Sequence, residues 1–268
     1  MYSQYWLVAV LVTLIVSALA AFSVKEVLGG RHVSARVQKQ GASPLLGYYP
    51  MEFAYWILAP IGRLATALKL SPNIFSWSCL ILGIAAAVAA GLGSIALAGG
   101  LSIVSGLLDA LDGMVARSRG VASDAGEVLD AAVDRYTEFF FLGGLCIYYR
   151  FEPWAMVLVL AALLGSLMVS YSQAKGEAMA CVIPKGMMRR PERAVYLGGG
   201  ALLSPWVGSW FEVRGIADPA MNYLLLLAIM IVAAFSNATA IHRYVSMYEQ
   251  LRSRERAKQI EKNSGSVS

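Results

Sequence analysis

The chain has 268 residues, 58% of them hydrophobic and only 15% charged, with a mean hydropathy of +0.60. A soluble domain carries about 25% charged residues, so this composition excludes an ordinary water-soluble fold and points to lipid as the solvent of much of the surface. The net charge of +5 matters less for its size than for its placement, because cations mark the cytoplasmic side of a membrane protein; no nucleic-acid partner is expected.

The first apolar run covers 5–22. No basic residue precedes it, and Lys25 and Arg31 follow it, which predicts a retained anchor with its N-terminus outside rather than a cleaved signal. A more polar stretch with Arg31, Arg36 and Lys39 leads to 51–70. There Phe53, Trp56, Ile57, Ile61, Leu64 and Leu68 alternate with Glu52, Arg63 and Lys69, as in a helix lying on the cytoplasmic leaflet. Ser71-Pro72-Asn73 then opens a span, and six apolar segments follow, over about 74–92, 94–116, 126–149, 154–175, 194–210 and 221–241. Each approaches the roughly 20 residues a helix needs to cross the hydrocarbon.

The loops at 23–70, 117–125, 175–193 and 243–268 hold most of the cations, whereas Arg150 and Arg214 stand in the opposite loops. The sets alternate correctly for seven crossings, with the C-terminus and the cation-rich loops inside. The expected fold class is therefore all-α integral membrane. It has a six-transmembrane-helix core, an extra N-terminal transmembrane helix and a cytoplasmic interfacial helix. In domains this reads as an anchor over 1–30, a cytoplasmic or interfacial segment over 31–70, a membrane domain over 71–248, and a charged tail over 249–268 whose last residues read as disordered. Cys79, Cys146 and Cys181 form no CxxC, and His32 and His242 are far apart, so neither a disulfide framework nor a zinc site is expected.

Ionisable residues inside spans are expensive and usually functional, and here they concentrate in one stretch. Asp109 and Asp112 are three apart and share a helix face with Gly113, Ala116 and Arg117; Asp130 and Asp134 are four apart on the next helix, with Gly126 one turn earlier. A short connection predicts that the two helices are antiparallel neighbours. Four carboxylates then converge near the cytoplasmic end, and their mutual repulsion calls for one or two divalent cations. Oxygen-only ligands select Mg²⁺, Mn²⁺ or Ca²⁺ over zinc. Small residues at 113, 116 and 126 leave room for a ligand against the backbone, and Arg117 is placed to clamp a phosphate.

These residues fill every fixed position of D-x2-D-G-x2-A-R-x8-G-x3-D-x3-D, and the stretch closely resembles the signature of the CDP-alcohol phosphotransferases, also called CDP-alcohol phosphatidyltransferases. The resemblance implies a CDP-linked donor, commonly CDP-diacylglycerol, an alcohol acceptor, CMP as leaving group, Mg²⁺ or Mn²⁺ as a pair of ions, and a homodimer. It implies that Asp109, Asp112 and Asp130 are metal ligands. Asp134 is then the general base, also touching a metal, and Gly113, Ala116, Arg117, Ser123 and Gly126 surround the CDP moiety.

Further along, Ser170-Tyr171-Ser172-Gln173-Ala174-Lys175 and Arg189-Arg190-Pro191-Glu192-Arg193 are similar to the acceptor region of prokaryotic phosphatidylinositol-phosphate synthases. On that similarity Ser170, Lys175, Arg190, Arg193 and Arg243 bind the acceptor, with inositol phosphate favoured and glycerol 3-phosphate, serine or inositol as alternatives. Gln173 and Lys175 depart from the Lys and Arg of that pattern, and a Lys is not equivalent to an Arg for bidentate phosphate binding. Two other classes compete. An intramembrane prenyltransferase needs a second Asp-rich motif, and none follows Asp134. A cation transporter needs acids along a path through the bilayer, whereas these cluster near one face beside Arg117.

Overall fold

The computed structural model describes residues 2–29, 47–121, 123–213 and 221–265. Arg31, His32, Arg36, Lys39, Arg214 and Asp218 lie outside them. The described residues form eight helices: α1 (Tyr2–Gly29), α2 (Tyr49–Ala67), α3 (Pro72–Gly91), α4 (Ile95–Ser118), α5 (Asp124–Tyr148), α6 (Pro153–Ala178), α7 (Arg190–Val213) and α8 (Tyr223–Gly265). Pro72 and Pro153 stand in the first turns of α3 and α6, where a missing N–H costs nothing.

Among the described residues, four helices are long and apolar enough to cross a membrane: α3, α4, α6 and α8. Helices α5 and α7 complete the same bundle, α5 against α3 and α6, α7 against α4 and α8. Their lower apolarity comes from Glu127, Asp130, Asp134, Arg135 and Glu138 on α5 and Arg190, Glu192 and Arg193 on α7. The core gathers Ala86, Ala90, Leu142, Leu145, Val159 and Ile229, all fully buried.

In lipid, helices associate through close backbone packing and interhelical hydrogen bonds rather than through a hydrophobic drive, and the bundle is built that way. A Cβ at Gly99 would stand 2.5 Å from the Leu202 amide nitrogen and 2.7 Å from the Gly198 carbonyl oxygen, and one at Gly144 would strike the Ala87 backbone. Cys79 Sγ donates to the Ser105 carbonyl at 3.2 Å while Ser105 Oγ donates to the Cys79 carbonyl at 3.0 Å, a reciprocal tie between α3 and α4. Cys79 is thus a small packing residue, and all three cysteines are free. Asn237 donates to the carbonyls of Ala161 on α6 and Ala233 on its own helix.

One expectation is corrected. The aspartate-bearing helices α4 and α5 are not neighbours along their length: α3 packs extensively on both, and they meet each other only sparsely. Two carboxylate stripes repel in low dielectric, and the small residues of α3 fill the space behind the gap. Beyond the sixth span, α8 continues unbroken to Gly265. Residues 248–264 contain neither Pro nor Gly and are rich in Arg, Lys, Glu and Gln, which are good helix formers.

The amphipathic segment forms α2 as expected. Leu58 and Ala65 pack on Leu111 and Val115 of α4, Gly62 admits the Met114 side chain, and Ile61, Leu64 and Leu68 are exposed, the apolar face a leaflet would cover. Its far end is held by α1. Phe22 is 2% exposed and sits among Tyr49, Phe53 and Trp56 with ring centroids 5.2, 5.7 and 5.6 Å away, and Ser23 Oγ hydrogen-bonds the Tyr49 hydroxyl at 2.6 Å.

Candidate metal and phosphotransfer site

The α4 stripe faces the gap because the 3.6-residue period places Asp109, Asp112 and Gly113 on one side of the helix, while Leu111 and Val115, both fully buried, take the other. At the end of α4, Gly120 adopts a φ of +65°, a left-handed turn that favours glycine. Ser123 then caps α5, its Oγ accepting from the Gly126 amide at 3.2 Å, and the acids Asp124 and Glu127 occupy the first turn, where the helix dipole favours them. This short reversal delivers Asp130 and Asp134 to the opposite side of the gap.

One carboxylate oxygen from each of Asp109, Asp112 and Asp130 lies within 4.8 Å of the others. Ser76 of α3 donates to Asp112 Oδ2 at 2.9 Å and fixes it. Arg190 reaches over from α7, Nη1 to Asp109 Oδ2 at 2.5 Å and Nη2 to Asp134 Oδ1 at 2.5 Å. The Arg190 guanidinium thus bridges two of the four carboxylates, Asp109 and Asp134, and Asp109 Oδ1 is buried with no hydrogen-bond partner among the described residues. The residues fit a hard divalent cation. Metal–oxygen distances of 2.0–2.1 Å for Mg²⁺ put neighbouring ligand oxygens about 3–4 Å apart, so the three aspartates need close only slightly around an ion, and the uncompensated charge favours one.

A cleft of about 510 Å³ opens on this cluster. One wall is α4, from Ile103 through Asp109, Asp112 and Gly113 to Arg117; a second is α7 and the residue before it, with Arg189, Arg190, Glu192 and Val195; the third is α2, with Met51, Ala54 and Tyr55. Gly113 is needed for the Arg117 guanidinium, since a Cβ there would stand 3.0 Å from both terminal nitrogens. Asp109, Asp112, Gly113, Arg117, Asp130 and Arg190 line this cleft, and Asp134 reaches it through Arg190. Ala116, half-buried, and Gly126, one turn before Asp130, adjoin the cluster without lining the cleft.

The acceptor set divides. Arg190 is at the aspartates, but Arg193 is not at the cleft wall. It is 2% exposed and forks onto Glu138 of α5, Nε to Oε1 at 2.6 Å and Nη2 to Oε2 at 3.0 Å, so it ties α7 to α5. Arg243 donates to the carbonyls of Pro184 and Val169 at 3.2 and 3.1 Å. Ser170 Oγ donates to the Ser166 carbonyl at 3.3 Å, and Lys175 is exposed at the end of α6. None of these three lines the cleft.

Ser76, Glu138 and the α2 wall were not anticipated, because only the pairing of distant helices reveals them. Glu192, within the Arg189–Arg193 run, has no role that the sequence pattern assigns.

The family model for CDP-alcohol phosphatidyltransferase matches residues 69–247. A phosphatidylinositol phosphate synthase of Corynebacterium glutamicum is 30% identical over 208 residues, 75% of this chain and 88% of that one. An archaetidylinositol phosphate synthase of Methanothermobacter thermautotrophicus is 27% identical over 192 residues, 72% and 90% of the two chains. Among solved structures, the Mycobacterium tuberculosis phosphatidylinositol phosphate synthase in complex with manganese and citrate superimposes with a TM-score of 0.60 at 25% identity, over 70% of this chain and 88% of that one. Helix α1 and all of α2 precede the matched segment.

Proposed function

The chain belongs to the CDP-alcohol phosphatidyltransferase family, and from that premise we propose that it moves a phosphatidyl group from CDP-diacylglycerol to inositol phosphate and releases CMP. The observation that carries the reading is the convergence of Asp109, Asp112 and Asp130 on one cleft, with Asp134 joined to it through Arg190, and with Arg189 and Arg190 on the opposite wall. Acids for metal and cations for phosphate stand face to face, as in-line phosphoryl chemistry requires. The phosphatidylinositol phosphate and archaetidylinositol phosphate synthases among its relatives favour the phosphorylated acceptor. So does Arg243, which is 6% exposed and has no ion-pair partner among the described residues, leaving a buried positive charge for an anion to balance.

Asp109, Asp112 and Asp130 would hold divalent cations, Mg²⁺ or Mn²⁺ and two in number, with Asp134 beside them. When bound, such ions would supply Lewis-acid stabilisation of the charge that develops on the departing CMP. Asp134 takes the proton of the attacking hydroxyl; Asp109 and Asp134 are both in reach of Arg190, which orients the base. Ser76 holds Asp112 against rotation. Gly113 and Arg117 receive the nucleotide phosphates, with Ala116, Ser123 and Gly126 framing that end. Arg189 and Arg190 meet the acceptor phosphate, and Ser170, Lys175, Arg193 and Arg243 belong to the same basic end, Arg193 acting through its hold on Glu138.

The site lies at the cytoplasmic end, with the N-terminus outside, the C-terminus inside, and two copies forming a homodimer. In support, Arg119 binds the Leu70 carbonyl at 2.6 Å, and Arg254 of α8 binds the Met179 and Ala180 carbonyls, so cation-rich elements crowd one end of the bundle.

The test is CMP release by purified protein in detergent with CDP-diacylglycerol and Mn²⁺, adding inositol phosphate, glycerol 3-phosphate, inositol or serine in turn. Release with inositol phosphate alone, lost in Asp130→Asn together with Mn²⁺ binding by calorimetry, is the expected result. Release with a different acceptor overturns the substrate, and no release with any of them overturns the donor and acceptor pair.

A further inference from the structure

Glu192 is the sharpest anomaly beside the site. It is 1% exposed, it lines the cleft on the α7 wall between Arg190 and Val195, and its Oε2 is buried without a hydrogen-bond partner. Oε1 stands 3.7 Å from Arg189 Nε, and an acid in the first turn of α7 suits the helix dipole. Those features account for one oxygen and for the charge. They leave the second oxygen unaccounted for, and an unsatisfied buried acceptor is costly enough to be rare.

A carboxylate oxygen needs a donor. The wall that carries it also carries Arg189 and Arg190 and faces Asp109. An anionic group cannot satisfy Oε2, because the two would repel. A hydroxyl next to a phosphate can: the phosphate meets the arginines while the hydroxyl donates to the glutamate. Serving both at once requires a ligand carrying a phosphate and free hydroxyls on one rigid frame.

We propose that Glu192 is a specificity-determining residue that accepts a hydrogen bond from a ring hydroxyl of a phosphorylated polyol acceptor. The assignment rests on the acceptor reading above and adds to it the group that distinguishes a polyhydroxylated ring from a simple phosphate ester. The cytosine amine of the donor is the other source of a hydrogen-bond donor, and the two sources are separable by which substrate's KM responds.

The experiment compares wild type with Glu192→Gln and Glu192→Asp, measuring KM for inositol phosphate and for CDP-diacylglycerol separately, Mn²⁺ affinity by calorimetry, and the melting temperature. Loss of a hydrogen bond to a charged group predicts a KM for inositol phosphate about tenfold or more higher in Glu192→Gln, partly recovered in Glu192→Asp. The KM for CDP-diacylglycerol, the Mn²⁺ affinity and the melting temperature should hold. An unchanged acceptor KM overturns the assignment. So does a rise confined to CDP-diacylglycerol, which places Oε2 at the nucleotide, and so does a lower melting temperature with both KM values intact, which leaves only a helix cap. The wild type is read first: no CMP release with inositol phosphate overturns the acceptor reading itself, whereas release with an unaltered Glu192→Gln overturns the glutamate assignment alone.

Discussion

Replacing Arg193 by methionine should destabilise the bundle rather than simply weaken substrate binding. The guanidinium forks onto both oxygens of Glu138 at 2.6 and 3.0 Å and also donates to the Met188 carbonyl at 3.4 Å. With Arg193 2% and the Glu138 side chain 14% exposed, Arg193→Met strands a carboxylate in low dielectric. Breaking a buried pair in this way costs about 3–5 kcal/mol, and a loss of that size lowers the melting temperature on the order of 10 °C in a protein of this length. Removing both charges, as in Glu138→Leu with Arg193→Met, leaves nothing uncompensated and should recover most of the loss, since apolar replacements of buried pairs are often neutral. The double-mutant cycle should therefore give a coupling of about 2 kcal/mol or more. Thermal unfolding in one detergent at one scan rate, followed by tryptophan fluorescence, reads all four proteins. If Arg193→Met melts within about 2 °C of wild type while its acceptor KM rises, Arg193 meets the substrate directly and the reasoning is refuted.

Three further outcomes are expected. Gly144→Ala drives a Cβ into the Ala87 backbone, which cannot rotate away, so α3 and α5 must separate; the melting temperature should fall by several degrees, corresponding to about 1–3 kcal/mol, and an unchanged value would mean that the helices are not in backbone contact. Gly113→Ala meets only the flexible end of Arg117 at 3.0 Å, so stability should hold while the KM for CDP-diacylglycerol rises several-fold; a loss of stability without a KM change would remove Arg117 from the nucleotide end. Phe22→Ala empties the centre of the Tyr49, Phe53 and Trp56 cluster and loosens the α2 wall of the cleft, so a lipid-linked donor should bind more weakly while the KM for the acceptor and Mn²⁺ affinity stay put; an unaltered donor KM would mean that α1 does not position α2.

Composition and residue spacing are enough to establish the class of the protein and the chemical core of its site. Low charge and repeated apolar runs require a lipid-embedded helical bundle, because only internally hydrogen-bonded segments span a bilayer. Spacings of three and four put Asp109 with Asp112 and Asp130 with Asp134 on common faces wherever those helices lie, since the helical period is local geometry. What depends on contacts between distant segments was decided by the tertiary structure. Ser76 meets Asp112 from 36 residues away, and Arg190 meets Asp109 from 81. Arg193, placed at the acceptor by its position in a motif, turns to Glu138 on α5, because a buried guanidinium goes to the carboxylate that best satisfies its fork. The same holds for α3 standing between the two aspartate helices. A charge pattern says that four acids must be accommodated, but which helix fills the space behind them depends on where small residues such as Gly83, Ala87 and Gly144 allow backbones to approach.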